Sequence, residues 1–182
     1  MESLQELQFF YEQSLCYKRF CYTLKNGKTI ELQFYRDNFC HLLGIQHVTR
    51  DKSNLGDKGY AKIQDGTLTI KKLKAINKPG FSYIKNRIIY FPLIEHLLSN
   101  GSIFRFYQDR VRPASKIKAD FLLHEVNNDV YLHLFLVKET SQRILFVPTS
   151  FIPLTAKNDN KKQYINFQEF KGISARKVIE NP

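Results

Sequence analysis

The stretch YRDNFCHLLGI, residues 35 to 45, carries a single His inside a run otherwise suited to burial. On a helix beginning near Asp37, Phe39, Leu42 and Leu43 share an apolar stripe. His41 then falls about 100° round from Leu42, on the flank of that stripe, where a cleft can reach it. Other polar side chains interrupt apolar elements further along: Arg87 in SYIKNRIIYF, Lys118 and Asp120 in KIKADFLL, and Thr149 and Ser150 in VPTSF. Each alone has a plain structural explanation. The His suits a hydrogen-bonded rim, the Arg solvent or a carboxylate, Lys118 and Asp120 a cross-strand pair, and the hydroxyls a turn cap. Together they suit RNA cleavage. That reaction takes a proton from a 2′-hydroxyl, stabilises phosphorane-like charge and protonates the departing 5′-oxygen, which imidazole, cations and a hydroxyl can do without a cofactor.

Other chemistries find little support. There is no Walker loop, GxGxxG, HExxH or GxSxG pattern, so the commonest nucleotide-binding, metalloprotease and serine-hydrolase readings fall away. The five His, at 41, 47, 96, 124 and 133, show no compact metal spacing, and neither metal nor cofactor is expected. Cys16, Cys21 and Cys40 form an odd set without CxxC, which fits a reducing cytoplasm better than a disulfide framework. Cys40 adjoins His41, but neighbours on a helix diverge, so a Cys/His nucleophile is disfavoured rather than closed.

The net charge of +11, from 28 Lys+Arg against 17 Asp+Glu, is spread along the chain. A domain this basic attracts polyanions, nucleic acid first among them, although charge can also serve solubility alone. The 10 Tyr and 15 Phe are mostly needed for a core, yet rings beside a basic cleft can stack on unpaired bases. No run is long and apolar enough for a bilayer, and MESLQELQFFYEQSL lacks the pattern of a signal peptide, so no membrane partner is expected.

The elements that must position these residues read as one α+β domain over 1–182. Leu4, Leu7, Tyr11 and Leu15 are helically spaced and mark an N-terminal helix over 1–17. A hairpin and helical part follows over 18–101. Asn26-Gly27 suits a two-residue turn, with Ile30, Leu32 and Phe34 alternating into the core. Asp37 or Asn38 can cap the His41 helix and Gly44 can end it. Residues 46 to 67, glycine-rich and charged, read as a long loop. Leu68, Leu73 and Ile76 mark a short helix, and Pro92 divides the next helical stretch in two. Over 102–170, SIFRFYQ, SKIKADFLLHEV, DVYLHLFLVK, RILFVP and KQYINFQEF read as five strands of a twisted antiparallel sheet, followed by a tail over 171–182.

KNGKTIELQFYRDNFCHLLGI, then FSYIKNRIIYFPLIEHLL, KIKADFLLHE, ILFVPTSFI and QYINFQEF arrive in an order that resembles the phage-associated nuclease domains of the Barnase, EndoU, colicin E5/D and RelE group, in particular its fourth phage-type family. The similarity runs over residues 18 to 170 and is most specific at NF-x-HLLGI, 38 to 45. It implies a metal-independent ribonuclease fold with helices ahead of the sheet. By position, His41 becomes the proton-transfer residue, Arg87 and Lys118 the phosphate-facing cations, and Ser150 the orienting hydroxyl. Thr149, Tyr83 and Asp120 stand in support, Asp120 to position Lys118 or His41. The resemblance also implies a toxin or effector of a phage or mobile-element conflict system. It would act on RNA, with tRNA a candidate, in the bacterial cytoplasm, and face an immunity or host defence protein. Two other readings stay open: a catalytically silent inhibitor that binds a host defence complex, and a structural or virion-associated protein.

Overall fold

A computed structural model describes residues 3–139 and 144–180. Residues 1–2, 140–143 and 181–182 lie outside them, including Arg143 at the head of the expected RILFVP strand. Helix α1 (Leu4–Ser14) begins in a capping box, the Ser3 hydroxyl accepting from the Glu6 amide while the Glu6 carboxylate accepts from Ser3 N–H. Its Leu4, Leu7 and Tyr11 are buried. Strands β1 (Lys18–Leu24) and β2 (Thr29–Gln33) pair antiparallel. The expected two-residue Asn26-Gly27 turn is not what joins them. Leu24 N–H donates to Lys28 O at 2.8 Å, which leaves three loop residues, and Gly27 alone takes the left-handed conformation, at φ +80. A three-residue loop of this kind needs one glycine there rather than two positive-φ positions.

Helix α2 (Arg36–Leu42) carries His41. The supposed loop after it is largely helical, with 3-10 turns at Ile45–His47 and Lys52–Asn54 and helix α3 (Gly56–Gln64). Helices α4 (Ile70–Ile76) and α5 (Lys78–Tyr90) follow, and Pro92 sits in a 3-10 turn before α6 (Ile94–Asn100).

The remaining strands are β3 (Ser102–Arg105), β4 (Phe121–Asn127), β5 (Val130–Lys138), β6 (Leu145–Thr155), β7 (Glu169–Lys171) and β8 (Ile173–Glu180). Together with the hairpin they form one eight-stranded sheet in the order β7-β3-β4-β5-β6-β2-β1-β8. Three expectations are corrected here. The sheet is mixed, because β2 runs parallel to β6 with Glu31 beside Leu145 and Leu32 beside Phe146. The segment Lys116–Asp120 lies outside the strands. The supposed tail supplies β8, which pairs antiparallel with β1.

The aromatic core clamps α2 in place. Phe39, fully buried, meets the rings of Tyr11 at 4.9 Å, Phe91 at 5.6 Å and Tyr60 at 5.8 Å. Phe91 in turn meets Phe151 of β6 at 5.8 Å. Each such ring contact adds about 0.5–1.5 kcal/mol to the burial of its apolar area, so α2 is fixed against the sheet close to β6.

Candidate active site

With Phe39, Cys40 and Leu42 buried, α2 leaves His41 exposed on its flank. The parallel β2–β6 pairing brings the residues after Leu32 and those after Phe146 out of the ladder in the same direction. His41 and Thr149 meet there, both lining the same cleft. In β6, Phe135 lies opposite Ser150 and Leu136 opposite Pro148, so Thr149 is an extra residue in a β-bulge. Neighbours on a regular strand face opposite ways, whereas a bulge re-aims one of them. Thr149 and Ser150 accordingly both line one cleft of about 700 Å³, together with His41, His47, Tyr83 and Arg87.

Arg87 forms the buried floor of this cleft, with 5% exposure. Its Nη1 reaches the Ser150 hydroxyl at 3.5 Å, and its guanidinium lies 6.0 Å from the Tyr83 ring centre. Among the described residues it makes no ion pair. Burial holds its pKa below the ordinary value, and Tyr83 opposes that shift. Gly44 makes room for its stem. The glycine has φ +80, and a Cβ there would stand 3.0 Å from Arg87 Cδ and 2.9 Å from Ile84 Cγ2. Gly44 thus ends α2 and admits the arginine at once.

Desolvation in the cleft, and then Arg87, lower the pKa of His41, while the nearby Thr149 backbone opposes them. His47 is lowered by desolvation, Arg87 and His41 in that order. Both rings therefore favour the neutral form at pH 7. Cys40 offers no competing nucleophile, because burial pushes its thiol up to about 12.

The site residues expected from the sequence divide unequally. His41, Arg87, Lys118, Ser150, Thr149 and Tyr83 all line the cleft, Lys118 from the exposed segment before β4. Asp120 does not. Its carboxylate takes Arg105 at 3.3 Å and the Lys138 amide at 2.9 Å, so it secures the start of β4 and positions neither Lys118 nor His41. Sequence reasoning missed His47, Lys116 and Tyr164 as lining residues. His47 was visible as a second imidazole six residues after His41, but Tyr164 was read into a strand. Among the described residues, no three His, Cys, Asp or Glu gather as metal ligands would, and no helix is long and apolar enough to cross a membrane.

The family model described as phage-Barnase-EndoU-ColicinE5/D-RelE like nuclease4 matches residues 3–180 of the chain. The chain belongs to that family. For this member of the phage nuclease-like family, the match spans every element that lines the cleft. No curated protein and no solved structure matches the chain.

Proposed function

We propose that the protein is an endoribonuclease that cleaves RNA through attack of the 2′-hydroxyl, with no metal in the mechanism. The observation that carries this reading is the buried Arg87, without an ion-pair partner among the described residues, on the floor of a cleft shared with two imidazoles. A buried cation left without a carboxylate is costly, and a bound phosphate would complete it. Membership of a family named for nucleases supports the same reading.

His41, which the cleft keeps neutral, takes the 2′-hydroxyl proton on a ring nitrogen. The resulting 2′-oxygen attacks phosphorus and the bond to the 5′-oxygen breaks. Arg87 and Lys118 stabilise the added negative charge, Ser150 orients a phosphate oxygen, and His47, the second imidazole, protonates the departing 5′-oxygen. A phosphate between the rings and Arg87 raises both imidazole pKa values and lets His47 serve as the acid. The products are a 2′,3′-cyclic phosphate and a 5′-hydroxyl end. In a phage or mobile-element conflict system the substrate would be cellular RNA, with tRNA a leading candidate.

Purified protein should cut RNA in the presence of EDTA and leave cyclic phosphate termini, read by mass spectrometry. His41→Ala should slow cleavage by roughly 10²- to 10⁴-fold while RNA binding persists. Cleavage at the wild-type rate in that variant removes His41 from the mechanism.

A further inference from the structure

Helix α5 carries cations on two flanks. Arg87 and Tyr83 line the cleft from one of them, whereas Lys85, two residues before Arg87, falls about 160° round the helix. Phe81, four residues before Lys85 and three after Lys78, lies on the lysine flank. Helix α4 packs against α5 and brings a third cation to this ring, the Lys74 Nζ lying 5.1 Å from the Phe81 ring centre. Phe81 is buried, and the three lysines around it are exposed. Residues 66 to 94 hold no Asp or Glu, and none of the three lysines is in an ion pair among the described residues. Like charges gathered on one face repel one another, and a polyanion laid across them removes that cost.

We propose that this face holds the phosphate backbone of single-stranded RNA where the strand, having passed the cleft, crosses α5. The inference deepens the ribonuclease reading and rests on it for the link to Arg87, adding a second hold on the same substrate. A helix with its side chains is about 10–12 Å across, so a strand with one phosphate on Arg87 meets the lysines a few nucleotides further on. Tyr83, 65% exposed, stands between the cleft and the crest of α5, where its ring can stack on a base that no partner strand covers. Lysine ammoniums are point charges on flexible stems and impose no bidentate geometry. The hold is therefore on phosphate, independent of sequence, and it favours long RNA over short.

The full chain carrying Lys74→Gln, Lys78→Gln and Lys85→Gln together loses the three charges and keeps every cleft residue. Fluorescence anisotropy with a labelled, unpaired RNA of about 20 nucleotides reads binding, and cleavage is followed on that RNA and on a dinucleoside monophosphate. The Gln variant should bind the long RNA roughly 10-fold more weakly at low salt, and its slope of log affinity against log salt should be shallower by about 2, at about 0.7 per lost contact. It should cleave the dinucleoside monophosphate within about twofold of the wild-type rate, because that substrate ends before the crest of α5. The charge-keeping set Lys74→Arg, Lys78→Arg and Lys85→Arg should bind as the wild type does. Unchanged affinity and slope in the Gln variant overturn the surface and turn the cluster over to an acidic protein partner. An Arg set weakened as much as the Gln set, a Gln variant slow on the dinucleoside monophosphate, or a wild type that binds no RNA overturns it as well. Because binding is read without turnover, the two ideas fail separately. Weakened binding in the Gln variant of a protein that cuts nothing refutes the ribonuclease reading alone, and cleavage with unchanged binding in that variant refutes the surface alone.

Discussion

Replacing Arg87 with Met should make the protein more stable and abolish its activity. The arginine is 5% exposed, makes no ion pair among the described residues, and is held by one hydroxyl at 3.5 Å and a ring at 6.0 Å. Its stem packs on Gly44, a contact that the flexible Met side chain keeps. Exchanging a buried charge for a hydrophobic residue of similar volume is commonly worth 1 to 4 kcal/mol in favour of the variant, at about the low end where the site opens to solvent. A gain of about 1 to 2 kcal/mol raises the melting temperature of a chain this size by roughly 2 to 8 °C. Differential scanning calorimetry reads that shift. Added phosphate supplies an internal control, because an anion that binds only the folded state stabilises by about 2.7 kcal/mol at a hundred times its dissociation constant. The wild type should gain from phosphate and the variant should not. A variant less stable than wild type in phosphate-free buffer, or one stabilised equally by phosphate, would refute the account of Arg87 as a cation awaiting a ligand.

Two further outcomes concern the scaffold. Burial drives His133 down to about 3, whereas in the unfolded chain it titrates near its ordinary value of about 6.5. The unfolded state therefore binds the extra proton between those values. The contribution is complete above about pH 6.5, falls as pH drops toward about 3, and at pH 5 is lower by about 2 kcal/mol. Urea unfolding at pH 7.5 and 5 should show a smaller decline for His133→Leu than for wild type, and equal declines would contradict this origin. Gly44→Ala meets both an unfavourable φ of +80 and a Cβ contact of 2.9 Å. It should cost about 1 to 3 kcal/mol in urea unfolding and reduce cleavage by displacing Arg87, while a loss below about 0.5 kcal/mol would show that the backbone and Ile84 yield easily.

Local patterns were readable where one residue's neighbours decide its place. The spacing of Leu4, Leu7 and Tyr11 gives α1, and the flank position of His41 follows from α2 alone. Arg87, Lys118, Thr149 and Ser150 stood out with His41 as polar side chains interrupting apolar elements, and the family resemblance gave them roles, since nothing local links them. Helix α3 was hidden because GDKGYAKIQ buries only Gly59, Tyr60 and Ile63, too few for a periodic signal. Gly59 looked like a loop residue, yet a Cβ there would lie 2.3 Å from the Asn54 carbonyl oxygen, so it serves close packing. The parallel β2–β6 contact and strand β8 depend on partners distant in sequence. Asp120 misled because its real partners, Arg105 and the Lys138 amide, sit on other strands.

The side-by-side run of β2 and β6 also governs when the cleft can exist. A nascent polypeptide that has emerged only as far as α6 already holds both imidazoles and Arg87, but the bulge with its two hydroxyls has yet to be made. Such distant pairing bears a large loop-closure entropy and forms slowly. The ribosome must therefore finish most of this chain before any of it is armed.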